Sequence, residues 1–290
     1  ETAMASDHFK PWSESQGESG FVWSWLGAAL QATRFPLGVV TVPGYRYHPA
    51  ILAQAGATLA EMFPGRFWMA VGSGEQLNES ITGERWPTGT ERDERLLRCV
   101  QVMRALWAGE TVTSKGLVRV ESARLYTLPR QPPLLLAAAT SRKTAEWAGG
   151  WADGLITVGG PNSDIEGTIE AFREGGGEGS SVYLKADISY ARTEQEALEG
   201  AWDQWRYLVH GGNTIVNTRS PALFEAFSRH VRPGDMPNHL WISSSLERYT
   251  EWLRECLALG IDRIILHNVN REQGAFIEDF GREVIPALHA

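Results

Sequence analysis

Short apolar runs alternate along this chain with longer segments whose apolar residues recur at helical spacing. Seven runs have strand character, at residues 3–6, 35–42, 67–71, 134–138, 154–158, 182–190 and 263–266. Helical spacing predicts helices between them, at residues 21–33, 49–63, 91–108, 141–147, 162–174, 193–208, 245–259 and 271–288. Strands that are apolar throughout and alternate with helices indicate a parallel sheet covered by helices.

Two segments interrupt this alternation. Residues 111–120 alternate around Lys115-Gly116 and predict a surface hairpin. Residues 209–244 are rich in glycine, asparagine and proline, and they predict an insertion with one helical island at residues 221–231. The sequence also indicates where two helices begin. Ser141 is a candidate N-cap, and Thr193 with Glu196 has the spacing of a capping box.

The order of these elements fits two kinds of α/β fold. A doubly wound open sheet accommodates seven strands. A (β/α)8 TIM barrel fits better, because the chain begins in a strand, as it would if one β/α unit preceded residue 1. The sequence therefore predicts one barrel domain over residues 1–290, with the insertion at 209–244 and without the first β/α unit.

Charge, cysteine content and hydropathy narrow the classes of function. The chain has 27 Lys and Arg residues against 35 Asp and Glu residues, a formal charge of −8, which argues against binding to nucleic acid. Cys99 and Cys256 lack the spacing of a metal or redox motif and are expected to be buried thiols in a reducing compartment. No apolar run reaches the roughly 18 residues of a membrane span, and no signal peptide is recognisable, so a cytoplasmic protein is expected.

Polar residues and glycines follow the predicted strands at the positions where a barrel carries its chemistry. These positions hold Asp7, His8 and Trp12 after the first strand, residues 41–44 after the second, Gly72, Ser73, Gly74, Glu75 and Asn78 after the third, Thr157, Gly159 and Gly160 after the fifth, and His267 and Asn268 after the last. Each feature alone also fits an ordinary loop or a structural residue. Together, a histidine, a carboxylate and a tryptophan suit proton transfer beside a flat aromatic ligand, and the Gly-Gly turn offers backbone amides to a phosphate.

No metal site is expected, because the 7 histidines show no paired-ligand spacing. The glycine motifs of dinucleotide-binding and P-loop folds are also missing from the sequence.

Several blocks of the sequence resemble the luciferase-like (LLM) flavin oxidoreductases. The blocks are Ser6-Asp7-His8-Phe9-Lys10-Pro11-Trp12, Pro43-Gly44-Tyr45-Arg46-Tyr47-His48-Pro49, Gly72-Ser73-Gly74-Glu75-Gln76-Leu77-Asn78-Glu79, Arg104-Ala105-Leu106-Trp107-Ala108-Gly109 and Gly154-Leu155-Ile156-Thr157-Val158-Gly159-Gly160. They are similar in particular to the branch that contains deazaflavin-dependent glucose-6-phosphate dehydrogenases, and more closely to a sister group that uses FMN, so the resemblance favours FMN over the deazaflavin.

The resemblance implies a barrel of the bacterial luciferase type that binds FMN or the deazaflavin coenzyme F-420. By matching position, His8 would be the catalytic histidine, Glu75 its acid/base partner and Trp12 an aromatic neighbour that stabilises charge. The implied cofactor-binding residues are Asp7, Val39, Val40, Gly72, Ser73, Gly74, Asn78, Thr157, Gly159 and Gly160. The family often has a cis non-proline peptide at the position of Val39-Val40. The sugar-phosphate dehydrogenases have basic residues around the substrate phosphate. Residues 162–174 and 209–244 of this chain contain no set of basic residues that matches them.

Three functions are consistent with these features. The first is an oxidoreductase or monooxygenase that moves a hydride between the cofactor and a small organic substrate. The second is a barrel glycoside hydrolase with Asp7 and Glu75 as paired carboxylates and tryptophans as a sugar platform. The third is a degenerate, non-catalytic barrel, and an incomplete barrel also favours a homodimer.

Overall fold

The structure, a computed structural model, describes residues 2–289, and these fall into two units. Unit 1 takes in the residues up to Lys10, Glu18–Ala138 and Trp151–Gly154. Unit 2 takes in Pro11–Gly17, Ala139–Gly150 and the residues from Leu155 onward. The single domain over residues 1–290 stays a prediction.

Unit 1 is built on four parallel strands. They pair in the order β1 (Ala3–Ser6), β2 (Leu37–Thr41), β3 (Phe67–Val71) and β6 (Leu134–Ala138). The predicted bounds of β1, β3 and β6 are confirmed, and β3 and β6 are short apolar runs with glycine or proline beside them. The predicted surface hairpin is also present, as the antiparallel strands β4 (Val112–Ser114) and β5 (Val120–Ala123).

The helices of unit 1 are α1 (Val22–Ala32), α2 (Pro49–Met62), α3 (Gln76–Glu79) and α4 (Gly89–Trp107). Helix α4 begins at a capping box, in which Thr88 caps the helix and the side chain of Glu91 accepts the backbone N–H of Thr88 at 2.9 Å. Helix α2 packs on α4. Every position of β3 is buried, so the strand that leads to Glu75 is held rigidly.

A glycine allows β2 and β3 to pair closely. A Cβ atom on Gly38 would lie 2.0 Å from Cε2 of Trp68, on the neighbouring strand. The Trp68 ring therefore lies over the position that a side chain on β2 would occupy, and only glycine fits there.

Unit 2 contains β7 (Gly154–Gly159) from Leu155 onward, together with the strands β8 (Ser181–Tyr190), β9 (Trp241–Ser243) and β10 (Arg263–Asn268). Strand β8 lies beside β7 and pairs in parallel with both β9 and β10. Each of the seven predicted strands is present, and β9 is a further strand that was not predicted. It has only three residues, Trp-Ile-Ser, and lies near the end of the segment 209–244, whose composition indicates an irregular insertion.

The helices of unit 2 are α5 (Arg142–Gly149), α6 (Ile165–Phe172), α7 (Glu194–Trp205), α8 (Gly211–Val216), α9 (Pro221–Ser228), α10 (Leu246–Ala258), α11 (Gln273–Asp279) and α12 (Ile285–His289). Ser141 and Thr193 are N-caps, as predicted. The predicted helix 162–174 begins later, because Asp164 caps it. The predicted helix 271–288 is divided by a wide turn at Phe280–Val284.

The segment 209–244 contributes to the core of unit 2. Met236 and Leu240 are buried in one apolar cluster with Ala201 and Val269. The segment therefore forms part of the packed core as well as linking other elements. No helix within residues 2–289 combines the length and the apolar character needed to cross a bilayer.

Candidate active site

His8 and Glu75 lie close together in unit 1. His8 follows β1 and Glu75 follows β3, and Nε2 of His8 is 3.9 Å from Oε2 of Glu75. The exposed fractions of the two side chains are 23% and 30%, so both remain accessible to a ligand. The structure thus brings together the two residues that the sequence predicts as the acid/base pair.

The turn before Glu75 depends on glycine. Gly74 has φ +93°, and a Cβ atom there would lie 3.0 Å from Cγ1 of Val42. This left-handed conformation is strained for other residues, so Gly74 allows the chain to turn sharply at the end of β3. Gly72 continues the contact with β2, since its N–H donates to the carbonyl of Thr41 at 3.2 Å. Ser73 lies partly buried between the two glycines.

Asn78 connects the two loops that carry the acid/base pair. Its side-chain oxygen accepts the backbone N–H groups of Phe9 at 2.9 Å and Lys10 at 3.2 Å. Its side-chain N–H donates to Oε2 of Glu75 at 3.5 Å. Since Asn78 is buried, it holds the loop after β1 against the loop after β3 and orients Glu75.

Asp7 is a buried structural acid. Its carboxylate accepts hydrogen bonds from Thr41 at 2.7 Å, Tyr47 at 3.1 Å and the Trp23 indole at 3.3 Å. The guanidinium of Arg46 also contacts it at 3.5 Å. With an exposed fraction of only 4%, this carboxylate is unsuited to the role that the glycoside hydrolase hypothesis requires of it. A cofactor contact through Asp7 stays a prediction.

Arg46 joins Asp7 to a second buried acid, Glu79. Its Nε donates to Oε1 of Glu79 at 3.0 Å, and its Nη2 donates to the carbonyl of Asp7 at 2.7 Å. Burial raises the pKa of Glu79, and Arg46 opposes that rise. Burial and the adjacent Asp7 raise the pKa of Tyr47. The network supports the loops beneath His8 and Glu75.

The roles of Arg46, Tyr47 and Glu79 were not predicted from the sequence. Two of the recognisable blocks contain them, Pro-Gly-Tyr-Arg-Tyr-His-Pro after β2 and the second glutamate of Gly-Glu-x-Leu-Asn-Glu. These blocks drew attention to the three positions, but they did not indicate which side chains form hydrogen bonds with each other.

Val39 and Val40 lie in the regular part of β2. Val39 is fully buried, and the carbonyl of Val40 accepts the N–H of Asp7 at 2.9 Å. The expected cis peptide is not found, since no peptide bond within the described residues is cis. The expectation of a cis peptide is therefore wrong. Strand β2 instead stays in continuous register with β1 and β3 through both valines.

Trp12 lies in unit 2, within an aromatic group. Its ring stacks on Tyr207 at a centroid distance of 5.2 Å and meets Phe224 edge-on at 5.3 Å. Its backbone N–H donates to the side chain of Gln16 at 2.9 Å. The ring is therefore oriented by aromatic packing, and its catalytic role stays a prediction.

The remaining predicted cofactor contacts, Thr157, Gly159 and Gly160, lie at the end of β7. Thr157 is buried, and a Cβ atom on Gly159 would lie 2.9 Å from Cδ1 of Leu184. Downstream, the carboxylate of Asp164 accepts the N–H of Gly167 at 3.2 Å, so the first turn of α6 already holds a negative group. The glycines are explained by close packing, and their contact with a cofactor phosphate stays a prediction.

A second polar cluster in unit 2 consists of Lys185, Asp187 and His267. Nδ1 of His267 lies 2.6 Å from Oδ1 of Asp187, and Lys185 pairs with the same oxygen. The sequence marked His267 at a strand end but did not indicate its partners. The only signal was the presence of two charged residues, two positions apart, inside the apolar run of β8.

A parallel β/α fold with a histidine and a carboxylate in the loops after its strands is typical of barrel enzymes that move protons beside a bound ligand. The model of the luciferase-like monooxygenase family matches residues 1–263. The chain belongs to this family.

Curated relatives extend over the whole chain. It is 32% identical to the F420-dependent glucose-6-phosphate dehydrogenase of Beutenbergia cavernae, a match that covers 100% of this chain and 89% of the relative. It is 30% identical to the enzyme of the same name from Kribbella flavida, over 99% of this chain and 90% of the relative.

Solved structures of related proteins have the same fold as this chain. An F420-dependent secondary alcohol dehydrogenase in complex with an F420-acetone adduct superposes with a TM-score of 0.88 at 30% identity, over 99% of this chain and 90% of that one. The coenzyme F420-dependent tetrahydromethanopterin reductase from Methanopyrus kandleri has a TM-score of 0.78 at 20% identity, over 99% and 91% of the two chains, and shows the shared fold alone. The predicted family and (β/α) barrel fold class are confirmed, and the glycoside hydrolase is not supported.

Proposed function

We propose that this protein is an oxidoreductase that transfers a hydride between coenzyme F-420 or FMN and a small organic substrate. The observation that carries the proposal is the pair of accessible side chains, His8 and Glu75, with Nε2 and Oε2 3.9 Å apart. Membership of the luciferase-like family supports it. Relatives whose names specify F420, at 30% identity or more, favour coenzyme F-420 over FMN.

The residues of unit 1 fit a flat cofactor that needs proton transfer at its edge. The Gly72-Ser73-Gly74 turn is only partly buried next to Glu75, while Asn78 and the Arg46 network hold the neighbouring residues in place. The bound cofactor ring would supply the acceptor or donor of the hydride.

Side chains of the protein carry out the proton transfer. Nε2 of His8 accepts the proton of a substrate hydroxyl during oxidation and returns it during reduction. The carboxylate of Glu75 stabilises the imidazolium that forms, because opposite charges attract strongly where water is limited. Asn78 keeps Oε2 of Glu75 directed toward this pair through its own N–H.

The experiment that tests the proposal is a titration of the purified protein with coenzyme F-420 and with FMN, followed by fluorescence. We expect one of the two to be quenched on binding, and mass spectrometry of any chromophore released by the protein should identify the same compound. Binding of neither cofactor would overturn the proposal and favour the non-catalytic barrel.

A cytoplasmic location and a homodimer stay predictions from the sequence. Light scattering of the purified chain after size-exclusion chromatography tests the dimer directly.

A further inference from the structure

The ring of Trp86 packs against the turn that leads into Glu75. A Cβ atom on Gly74 would lie 3.3 Å from Cη2 of Trp86, so the six-membered part of the indole lies beside the α-carbon of Gly74. Trp86 is partly buried and belongs to the loop that precedes α4. The contact therefore joins this loop to the residue immediately before Glu75, and all three residues lie in unit 1.

Two neighbouring side chains fix the position of the Trp86 ring. Cζ of Arg92, near the start of α4, lies 4.8 Å from the ring centroid. The Tyr45 ring lies 5.6 Å from the indole, centroid to centroid, at an interplanar angle of 43°. Arg92 also donates from Nη1 to the carbonyl of Pro87 at 3.0 Å, which anchors the residue after Trp86. Because a cation over an aromatic face is attracted to it, the indole has a preferred place against α4.

Three side chains confine the backbone at Gly74. Besides Trp86, a Cβ atom there would lie 3.0 Å from Cγ1 of Val42 and 3.3 Å from Cγ of Glu79. Glycine has access to many backbone conformations, so its surroundings decide which one the turn keeps. Val42 follows β2, and Glu79 is held by Arg46 at 3.0 Å. A smaller residue in place of Trp86 would therefore leave space on the one side of the turn that the loop before α4 covers.

The direction of the Glu75 side chain depends on the backbone of this turn. Glu75 is the N-cap residue of α3, but its carboxylate makes no capping hydrogen bond to that helix. The hydrogen bond from Asn78 to Oε2 is long, at 3.5 Å, and Nε2 of His8 lies 3.9 Å from the same oxygen. Contacts of this length restrain a carboxylate only in part. A shift of the backbone at Gly74 would therefore change the distance between Glu75 and His8.

We propose that Trp86 is a positioning residue for the reaction, in that it holds the Gly74 turn so that the Glu75 carboxylate stays beside the His8 imidazole. The indole acts through the backbone of Gly74 and does not itself transfer a proton. Arg92 supports the indole from α4. The inference rests on the proposed function and deepens it, since it names a residue on which the geometry of the acid/base pair depends.

The first measurement needs no cofactor and no substrate. In protein labelled with ¹³C-histidine, the pH at which the His8 resonance titrates reports how close the Glu75 carboxylate lies, because a nearby negative charge favours the imidazolium. Glu75→Gln should lower this midpoint by about 0.5–1 pH unit, and Trp86→Leu should lower it by part of that amount. His8→Ala assigns the resonance. Other charged residues of the two loops and the network beneath them are unchanged in these variants, namely Asp7, Lys10, Arg46 and Glu79.

A double variant separates positioning from a general loss of stability. If Trp86 acts through Glu75, then Trp86→Leu should lower the midpoint no further once Glu75→Gln is present, because the charge that it positions is gone. Trp25→Leu is the matched control, since Trp25 lies on α1 of the same unit with 54% of its surface exposed. The control should leave the midpoint in place. Trp86→Phe keeps a smaller ring against Arg92 and should give an intermediate midpoint, and it replaces Trp86→Leu if circular dichroism shows that the leucine variant does not fold.

The second measurement is kinetic. It uses the cofactor that binds in the titration and the substrate that the native protein turns over fastest among 2-propanol, cyclohexanol and glucose 6-phosphate. Trp86→Leu should lower kcat about tenfold, because a small displacement of a reacting group is costly, and should change KM by less than about threefold. In the Glu75→Gln background the same change should have little further effect on kcat.

The outcomes separate this inference from the proposed function. If neither cofactor binds, the oxidoreductase proposal fails, and the His8 midpoint alone decides whether Trp86 holds Glu75 in place. If a cofactor binds but the folded Trp86 variant has the midpoint of Trp25→Leu, the inference is overturned and the proposed function stands. Additive effects of Trp86→Leu and Glu75→Gln on the midpoint or on kcat would also overturn the inference, because the indole would then act independently of Glu75.

Discussion

The side-chain oxygen of Asn78 accepts the backbone N–H of Phe9 at 2.9 Å, so a residue that follows β3 holds the loop that follows β1. His8 precedes Phe9, and Glu75 accepts a hydrogen bond from the same asparagine. The geometry of the acid/base pair therefore depends on a third residue that need not take part in the chemistry.

Replacement of Asn78 by alanine should lower both stability and turnover. The change leaves the N–H groups of Phe9 and Lys10 without their acceptor, which costs about 1–3 kcal/mol of the free energy of unfolding. Chemical denaturation measures this loss. Asn162→Ala removes an exposed hydrogen bond to the carbonyl of Asn238 and serves as control, with an expected change within about 0.5 kcal/mol. Equal effects of the two variants would show that Asn78 has no special role in joining the loops.

His8→Ala and Glu75→Gln should each lower turnover by about 10² to 10⁴, the usual effect of a lost acid or base. Cofactor binding should remain largely intact, because neither change removes backbone of the glycine turn. Steady-state kinetics and the fluorescence titration measure the two quantities separately. Loss of the folded circular dichroism spectrum in either variant would instead make that residue structural.

Gly38→Ala should destabilise unit 1. The new Cβ would lie 2.0 Å from the Trp68 ring, which must move within a packed sheet, and overpacking of this kind costs about 1–3 kcal/mol or more. Gly27→Ala in α1 is the matched control, because nothing lies within 4 Å of its Cβ position. That change should stabilise the helix by about 0.5–1 kcal/mol. Thermal unfolding midpoints that move in the same direction for both variants would contradict the packing argument.

The acid stability of unit 2 should depend on Asp279. Its carboxylate accepts hydrogen bonds from Arg192 at 3.1 Å and Tyr190 at 2.7 Å, and these lower its pKa to about 2. A carboxyl whose pKa is lower in the folded state stabilises the protein above the unfolded pKa, and this stabilisation is lost as the pH falls through the folded pKa.

Asp279→Asn should therefore weaken the decrease in the free energy of unfolding between the ordinary pKa of 3.8 and pH 2. Denaturant titrations at several pH values measure this slope. Glu278→Gln is the control, since Glu278 contacts the same arginine but is largely exposed. An unchanged slope in Asp279→Asn would show that the Asp279 network does not contribute to acid unfolding.

The elements that the sequence alone determined are those whose signal is local. The runs at 67–71 and 134–138 have the predicted bounds because every residue in them is apolar and the neighbouring turns contain glycine or proline. Ser141 and Thr193 were recognised as caps because capping uses side chains within the same turn. Likewise, His8 and Glu75 were identified from their places just after two such strands.

Tertiary structure alone decided which distant residues meet. Asp7 follows a strand, as a catalytic acid would, yet Thr41, Tyr47, Trp23 and Arg46 turn it into a buried structural acid. Similarly, His267 finds Asp187, 80 positions away, because β8 and β10 pair in register. Strand pairing and side-chain hydrogen bonds between distant segments depend on the folded chain, so no local pattern of residues encodes them. The sequence determined where the reactive groups stand along the chain, and the fold decided which of them remain accessible.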